Sequence, residues 1–431
     1  MKKLFLLFAL LPALSHANSP IEHIVVIYLE NRSFDNLFGL FPNANGLKEA
    51  KNALPQVDEF GQVYKTLPAL SDKRFPENLE NKPFNIENYV KLNEKHPDLT
   101  HRFFINQMQI NGGKNDRFAQ LSSAGGLTMG YYDLSKTALW QYAKEFTLVD
   151  NFFQAAYGGS FLNHQWLICA CTPEFKDAPI ELRQWKIDAE TGKITKEPIV
   201  TEDGYAVATI QPHYSPFHAK YAENRLPPQY QPTIGDRLSE KGISWAWYAG
   251  GWDNAVANKE TDDNFQYHHQ PFVYYANYAP ETAARAEHLK DKTQLFADLK
   301  TNFPKVAFFK PAGNKNQHPG YATILDADNE VKEIVEAIRQ SPIWSSTAII
   351  VTYDEYGGFW DHVAPPKIDR WGMGTRVPTI IISPFAKKNH VDHTLYDTTS
   401  ILKFVENRFD LEPLSNRDAA ANGLQGAFEN P

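Results

Sequence analysis

The chain carries short runs of apolar, β-branched residues with no polar face, several of them closed by oxygen-bearing side chains. Ala348-Ile349-Ile350-Val351-Thr352-Tyr353 is the sharpest, and Asp354, Glu355, Tyr356, Gly357 and Gly358 come directly after it. A run of that length without alternation reads as a strand buried on both sides of a parallel sheet. Ile24-Val25-Val26-Ile27-Tyr28-Leu29 repeats the pattern and ends in Glu30-Asn31. Phe146–Phe152, Ile243–Tyr248, Val306–Phe309 and Val377–Ile382 read as further strands. Helical periodicity lies between them. One helix is expected over Ser135–Lys144 with Ser135 as cap, one opens in Pro232–Leu238, and one covers Glu330–Gln340. The last spans Asp397–Arg408, with Asp397 or Thr398 as cap. The alternation predicts an α/β fold with a largely parallel sheet.

In open α/β sheets, ligands sit at the carboxyl ends of the strands. Two adjacent carboxylates repel each other and resist dehydration unless a cation offsets their charge. Asp354 and Glu355 therefore read either as half of a metal site or as a solvated acidic turn. Glu30 and Asn31 leave a second strand end in the same way. Together the four would offer one divalent cation oxygen ligands from opposite ends of the chain. A third locus is Ala155-Ala156-Tyr157-Gly158-Gly159-Ser160-Phe161-Leu162-Asn163-His164. It reads as a turn entering a helix. Ser160 there is either a simple cap or a hydroxyl placed where backbone amides and the helix dipole attract an anion.

Composition narrows the class. The chain has 431 residues, 42% hydrophobic and 13% aromatic, enough for a large core, and its formal net charge of −8 argues against nucleic acid as a partner. Lys2-Lys3, an apolar stretch to Leu14 and Ser15-His16-Ala17 read as a signal peptide over residues 1–17. No stretch reaches the roughly 20 apolar residues of a membrane span, so an exported protein, secreted or periplasmic, is expected. Residues 18–431 read as one domain with insertions at about 183–232 and 252–290; the first holds a hairpin over Arg183–Val200 turning at Ala189-Glu190-Thr191-Gly192. Asn43–Asn93 reads as surface loops and Asn416–Pro431 as a loose terminus. The two cysteines, Cys169 and Cys171, are one residue apart, and a direct disulfide between them is expected to be strained. They read as small buried residues. The tryptophans near Gly250-Gly251-Trp252-Asp253 serve either a substrate mouth or the core.

Glu30-Asn31-Arg32-Ser33-Phe34-Asp35, Gly158-Gly159-Ser160 with Asn163, and Asp354-Glu355 with Asp361-His362 resemble, in order, the bacterial phospholipase C and acid phosphatase A family, related in fold to alkaline phosphatases and arylsulfatases. The resemblance implies an alkaline-phosphatase-like architecture with helices on both faces of the sheet. It implies one divalent metal ion (Zn²⁺, Ca²⁺ or Mn²⁺) on Glu30, Asn31, Asp354 and Glu355, with Ser160 as nucleophile. It implies phosphate contacts from His101, His268, His269 and His318, charged at acidic pH. His362 reads as orienting a ligand or as structural. Ser160, where the phospholipase branch often has Thr, and His268-His269-Gln270-Pro271 look closer to the acid phosphatase branch, and the large C-terminal extensions of haemolytic phospholipases are absent. The expected activity is metal-dependent phosphoric ester hydrolysis through a phosphoserine, of phospholipid phospholipase C type with phosphomonoesterase capability and transient membrane-surface contact. A dedicated acid phosphatase is the alternative. A non-catalytic binding protein on the same scaffold would have lost the nucleophile or the ligands, and a sulfatase would carry a Cys- or Ser-x-Pro-x-Arg segment; neither sign is found.

Overall fold

The computed structural model describes residues 19–429 except 71, 190–193, 219, 221–222 and 260–263. The expected signal peptide and most of the turn at Ala189–Gly192 lie outside the described residues.

Eight strands form the central sheet: β1 (His23–Leu29), β2 (Thr147–Val149), β3 (Trp245–Ala249), β4 (Leu289–Asp291), β5 (Val306–Lys310), β6 (Thr347–Tyr353), β7 (Thr379–Ile382) and β8 (His390–Asp392). Their order is β8-β2-β7-β6-β1-β5-β3-β4. Only β7 runs against its neighbours, β6 and β2; all other pairs are parallel. The fold is thus α/β with a largely parallel sheet, as the unbroken apolar runs predict. β1 and β6 are buried at every position, which a strand with both faces covered requires.

Both faces are covered by helices. The longer ones include α1 (Phe103–Ile110), α2 (Ala138–Glu145), α3 (Ser160–Cys169), α4 (Ile324–Arg339) and α5 (Thr398–Phe409). Tyr28 donates its hydroxyl to the Asn163 carbonyl of α3. Tyr353, paired with Leu29 and so on the opposite face, reaches Gln317, whose amide donates to the Ile324 carbonyl at the start of α4. The helices begin where capping chemistry allows. Thr137, not Ser135, caps α2, and Thr323 caps α4 with a reciprocal Asp326 bond, so α4 starts six residues before its expected point. Asp397 caps α5 as expected.

Strand register decides which side chains meet at the edge of the sheet. Leu29 pairs with Tyr353, so β1 and β6 end side by side and release Glu30 and Asp354 together. Ile27 pairs with Phe309, which brings Lys310 level with Tyr28. Gly357 closes the turn after β6 at φ +64°, where a Cβ would collide with the Asn31 carbonyl. Gly158, before α3, has φ +87° and lies against the backbone of Phe103.

Three expectations are corrected. The Phe146–Phe152 strand is two pieces: Thr147–Val149 joins the sheet, and Phe152–Phe153 pairs instead with Tyr396–Asp397. Cys169 and Cys171 are disulfide-bonded; the left-handed backbone of Ala170 between them, φ +47°, turns the chain at the end of α3 and brings the two together. The tail is not loose. Asn416–Ala420 is a helix with a reciprocal Ser415–Asp418 cap, and Leu424, Ala427 and Phe428 are buried. The tryptophans Trp245, Trp247 and Trp252 are core residues.

Phe428 stacks on Phe404 of α5 with ring centroids 5.3 Å apart. Phe428→Ala is expected to cost about 3 kcal/mol of unfolding free energy, measured by denaturant titration; an unchanged midpoint would mean that the tail contributes no packing.

Candidate active site

The ends of β1 and β6, the start of α3 and the loop after β5 meet in one place. Asn31 sits in the left-handed region, φ +71°, and its backbone amide donates to Asp354 Oδ1 at 3.2 Å. Its side-chain amide donates to Glu355 Oε1 at 2.5 Å. Ser160 is the first residue of α3, and Gly159 holds the cap position, so the hydroxyl is not spent on capping. It points to Glu355 Oε1 at 3.2 Å and Asn31 Oδ1 at 3.4 Å. The three loci separated in sequence are therefore adjacent in space.

Glu30 occupies the other side of the cluster. Its Oε1 lies 2.6 Å from His269 Nε2, 3.0 Å from Lys310 Nζ and 3.9 Å from His268 Nε2, and its Oε2 accepts from Asn316 at 2.7 Å. Burial alone would raise the Glu30 carboxyl, but the His269 and Lys310 charges hold it well below the usual range. Asp354 and Glu355 are pushed up, first by burial and, for Glu355, by the neighbouring Asp354 charge. The four predicted metal ligands thus converge, although Asn31 and Glu355 lean to the serine while Glu30 leans to Lys310.

A cation fits this chemistry. Three buried carboxylates face one another, and Asp354 Oδ2 and His164 Nε2 are buried with no hydrogen-bond partner among the described residues. The ligand atoms of Glu30, His164 and Asp354 lie within 4.8 Å of one another, as do those of Glu30, His268 and His269. A third group, Asp98, His101 and His318, stands at the mouth. A fourth, Asp35, Asp361 and His362, is already satisfied, because the buried Arg376 guanidinium pairs with both carboxylates. His362 bonds Asp35 at 2.6 Å and Asn45 at 2.9 Å, which gives it the structural role.

A cavity of about 670 Å³ opens above Ser160, with Glu30, His101, His268, His318 and Tyr321 on its walls. His101 and His318 meet edge to face at 5.6 Å. Each has Nδ1 against a backbone carbonyl, Leu99 at 2.5 Å and Pro319 at 2.6 Å, and His101 Nε2 lies 3.2 Å from the Asn31 side-chain amide. Burial pushes His268 well down and His269 and His318 down, against the opposing pull of the Glu30 carboxylate.

His164, Lys310 and Asn316 are absent from the predicted set. His164 lies one turn after Ser160 on α3, its Nδ1 at 2.7 Å from the Ser160 carbonyl. Lys310 ends β5, one residue beyond the expected strand, and is interior because it faces the buried Glu30 carboxylate.

Residues 21–412 match the model of the phosphoesterase family. The chain belongs to the phosphoesterase family. It is 26% identical to "Phospholipase C A" of Mycobacterium tuberculosis over 94% of this chain and 76% of that protein. It is 24% identical to the "Non-hemolytic phospholipase C" of Pseudomonas aeruginosa over 96% of this chain and 58% of that protein. It is also 24% identical to "Non-specific phospholipase C6" of Arabidopsis thaliana over 94% and 71% respectively. This phosphoesterase is a phosphoric ester hydrolase.

Two of its residues carry predictions. Lys310 and Glu30 are an almost fully buried ion pair. Lys310→Met is expected to destabilise the chelated phosphoesterase by about 3–5 kcal/mol and to enlarge the rise in melting temperature on adding a divalent cation; equal rises in variant and wild type would separate Lys310 from the cation's charge. Glu197 is buried against the cavity wall, and its Oε2 accepts from Phe104 N and Ile105 N at 3.1 Å each, at the start of α1. Burial pushes its carboxyl up to about 7. Between pH 4.5 and about 7 the folded carboxyl keeps a proton that the unfolded one has released, so rising pH costs stability there, about 3 kcal/mol in all. Glu197→Gln is expected to flatten that slope in melting curves taken across the window.

Proposed function

We propose that this phosphoesterase is an exported, divalent-metal-dependent hydrolase of phospholipase C type, with phosphomonoesterase capability, working through a phosphoserine on Ser160. The observation that carries the reading is the buried Ser160 hydroxyl at the N-terminus of α3, uncapped and aimed between Asn31 and Glu355 at the floor of the cavity. A helix N-terminus favours the phosphoryl anion there. The names of the relatives support phospholipid as substrate. A divalent cation (Zn²⁺, Ca²⁺ or Mn²⁺) held by Glu30, Asn31, Asp354 and Glu355 supplies Lewis acidity to the hydroxyl and to the non-bridging phosphoryl oxygens.

The chain's own residues do the rest. Ser160 Oγ bonds to phosphorus as the bond to the lipid alcohol breaks, and Glu355 Oε1, already its acceptor, lies in the path of the hydroxyl proton. His101 and His318 stand on the cavity wall, where a protonated imidazole would be placed to give its proton to the departing alkoxide. Water then takes the alcohol's place in line and frees the phosphorylated headgroup. No described helix is long and apolar enough to cross a membrane.

Ser160→Ala is expected to lower turnover about 1000-fold or more while the melting curve holds; full activity would remove Ser160 from the mechanism. The same assay, run on phosphatidylcholine, p-nitrophenyl phosphorylcholine and p-nitrophenyl phosphate, separates the readings. Strong turnover of the monoester alone assigns a dedicated acid phosphatase, which the His268-His269-Gln270-Pro271 segment beside a serine nucleophile favours.

A further inference from the structure

Twelve large hydrophobic side chains are exposed among the described residues, and four of them, Ile180, Trp185, Ile187 and Ile194, fall in one short segment. The last three lie in the hairpin of the first insertion, and Ile180 opens the short helix Ile180–Arg183 that leads into it. Lys186–Ile187 pairs antiparallel with Ile194–Lys196, and Ile187 stands directly across from Ile194. Trp185 comes immediately before the first strand, next to a register irregularity at Lys186/Ile187. Exposure is 41% at Trp185, 61% at Ile187 and 37% at Ile194. A two-stranded ribbon has no core of its own in which to hide such residues.

The hairpin also forms part of the active-site wall. Thr195, Lys196 and Glu197 line the cavity above Ser160, and so does Tyr321, another of the exposed large side chains. The base of the ribbon is fixed: Glu197 caps the start of α1, and Trp185 rests against Phe104 at 5.2 Å between ring centroids. Its other cross-strand pair is Lys186 opposite Lys196, like charges that disfavour the ribbon in water. Phosphate groups outside the ribbon would complement both ammonium groups.

We propose that this hairpin is the element by which the enzyme docks on a phospholipid surface. Trp185, Ile187 and Ile194 enter the headgroup–acyl boundary, and Lys186 and Lys196 meet lipid phosphates at the mouth of the cavity. An indole with aliphatic neighbours suits that boundary, and lysine stems reach back from it to the phosphates. The net charge of −8 opposes long-range attraction to an anionic membrane, so the apolar face supplies the greater part of the binding and neutral vesicles suffice. The inference rests on the phospholipase C reading for its substrate, but docking itself is measurable without turnover.

The test compares the full chain with the triple variant Trp185→Ser, Ile187→Ser, Ile194→Ser, and with Trp185→Phe. The vesicles are phosphatidylcholine, plain and brominated. Wild type is expected to sediment with vesicles and to lose part of its tryptophan emission to the brominated lipid, a part missing in Trp185→Phe. The triple variant is expected to bind vesicles about tenfold more weakly or worse. Its hydrolysis of vesicle phosphatidylcholine should fall in step, while turnover of soluble p-nitrophenyl phosphorylcholine stays at the wild-type level. Vesicle binding without lipid hydrolysis would keep the docking surface and sink the phospholipase reading. Equal vesicle binding by wild type and triple variant would overturn the docking surface, as would a wild-type dimer in sedimentation velocity that the triple variant abolishes.

Discussion

Three carboxylates buried at the ends of two adjacent strands repel one another, and the architecture around Ser160 is arranged against that repulsion. Glu30, Asp354 and Glu355 cannot share a dry pocket as anions without compensation. The chain answers with the Lys310 ammonium at 3.0 Å from Glu30, with backbone amides of Asn31 and Glu355 on Asp354 Oδ1, and with the Gly357 amide on Glu355 Oε2 at 2.6 Å. Each donor is fixed by the sheet or by the turn that leaves it. The site is consequently a property of strand register rather than of loop conformation.

That dependence explains why much of the site is legible in the sequence. A parallel sheet has a single ligand-bearing edge, and unbroken apolar runs mark which segments end there. Asp354-Glu355 and Glu30-Asn31 come after the two most apolar runs, and the structure makes those runs neighbours through the Leu29–Tyr353 pair. Ser160 joins them because α3 packs on the Tyr28 face, where the Tyr28 hydroxyl meets the Asn163 carbonyl.

What escapes a reading of the sequence is set by long-range contact rather than local pattern. Lys310 is missed because an apolar strand ending in lysine looks like a strand reaching solvent; only a facing buried carboxylate makes it interior. His164 sits in an apolar helix where a histidine more often satisfies itself within the core. The tail over residues 416–429 is polar enough to read as free, yet Arg417 pairs with Asp369 and Asp397 at 2.7 Å each, and Phe428 has Phe404 to stack on. Spacing alone argues against the disulfide, but spacing says nothing of the left-handed turn at Ala170. In each case the deciding partner lies far away in sequence or in a backbone conformation that composition does not encode.

The same charges limit what the site can hold. Glu30, Asp354 and Glu355 bring three negative charges when ionised, and Lys310 returns one. Burial works against charge on His164, His268 and His269, and the Glu30 carboxylate works for it. A divalent cation would offset that difference. An incoming phosphate ester brings its own negative charge, and the imidazoles of His101, His268 and His318 stand on the cavity wall where it would arrive. Carboxylates and lysine at the strand ends thus face one another, while the histidines face the opening.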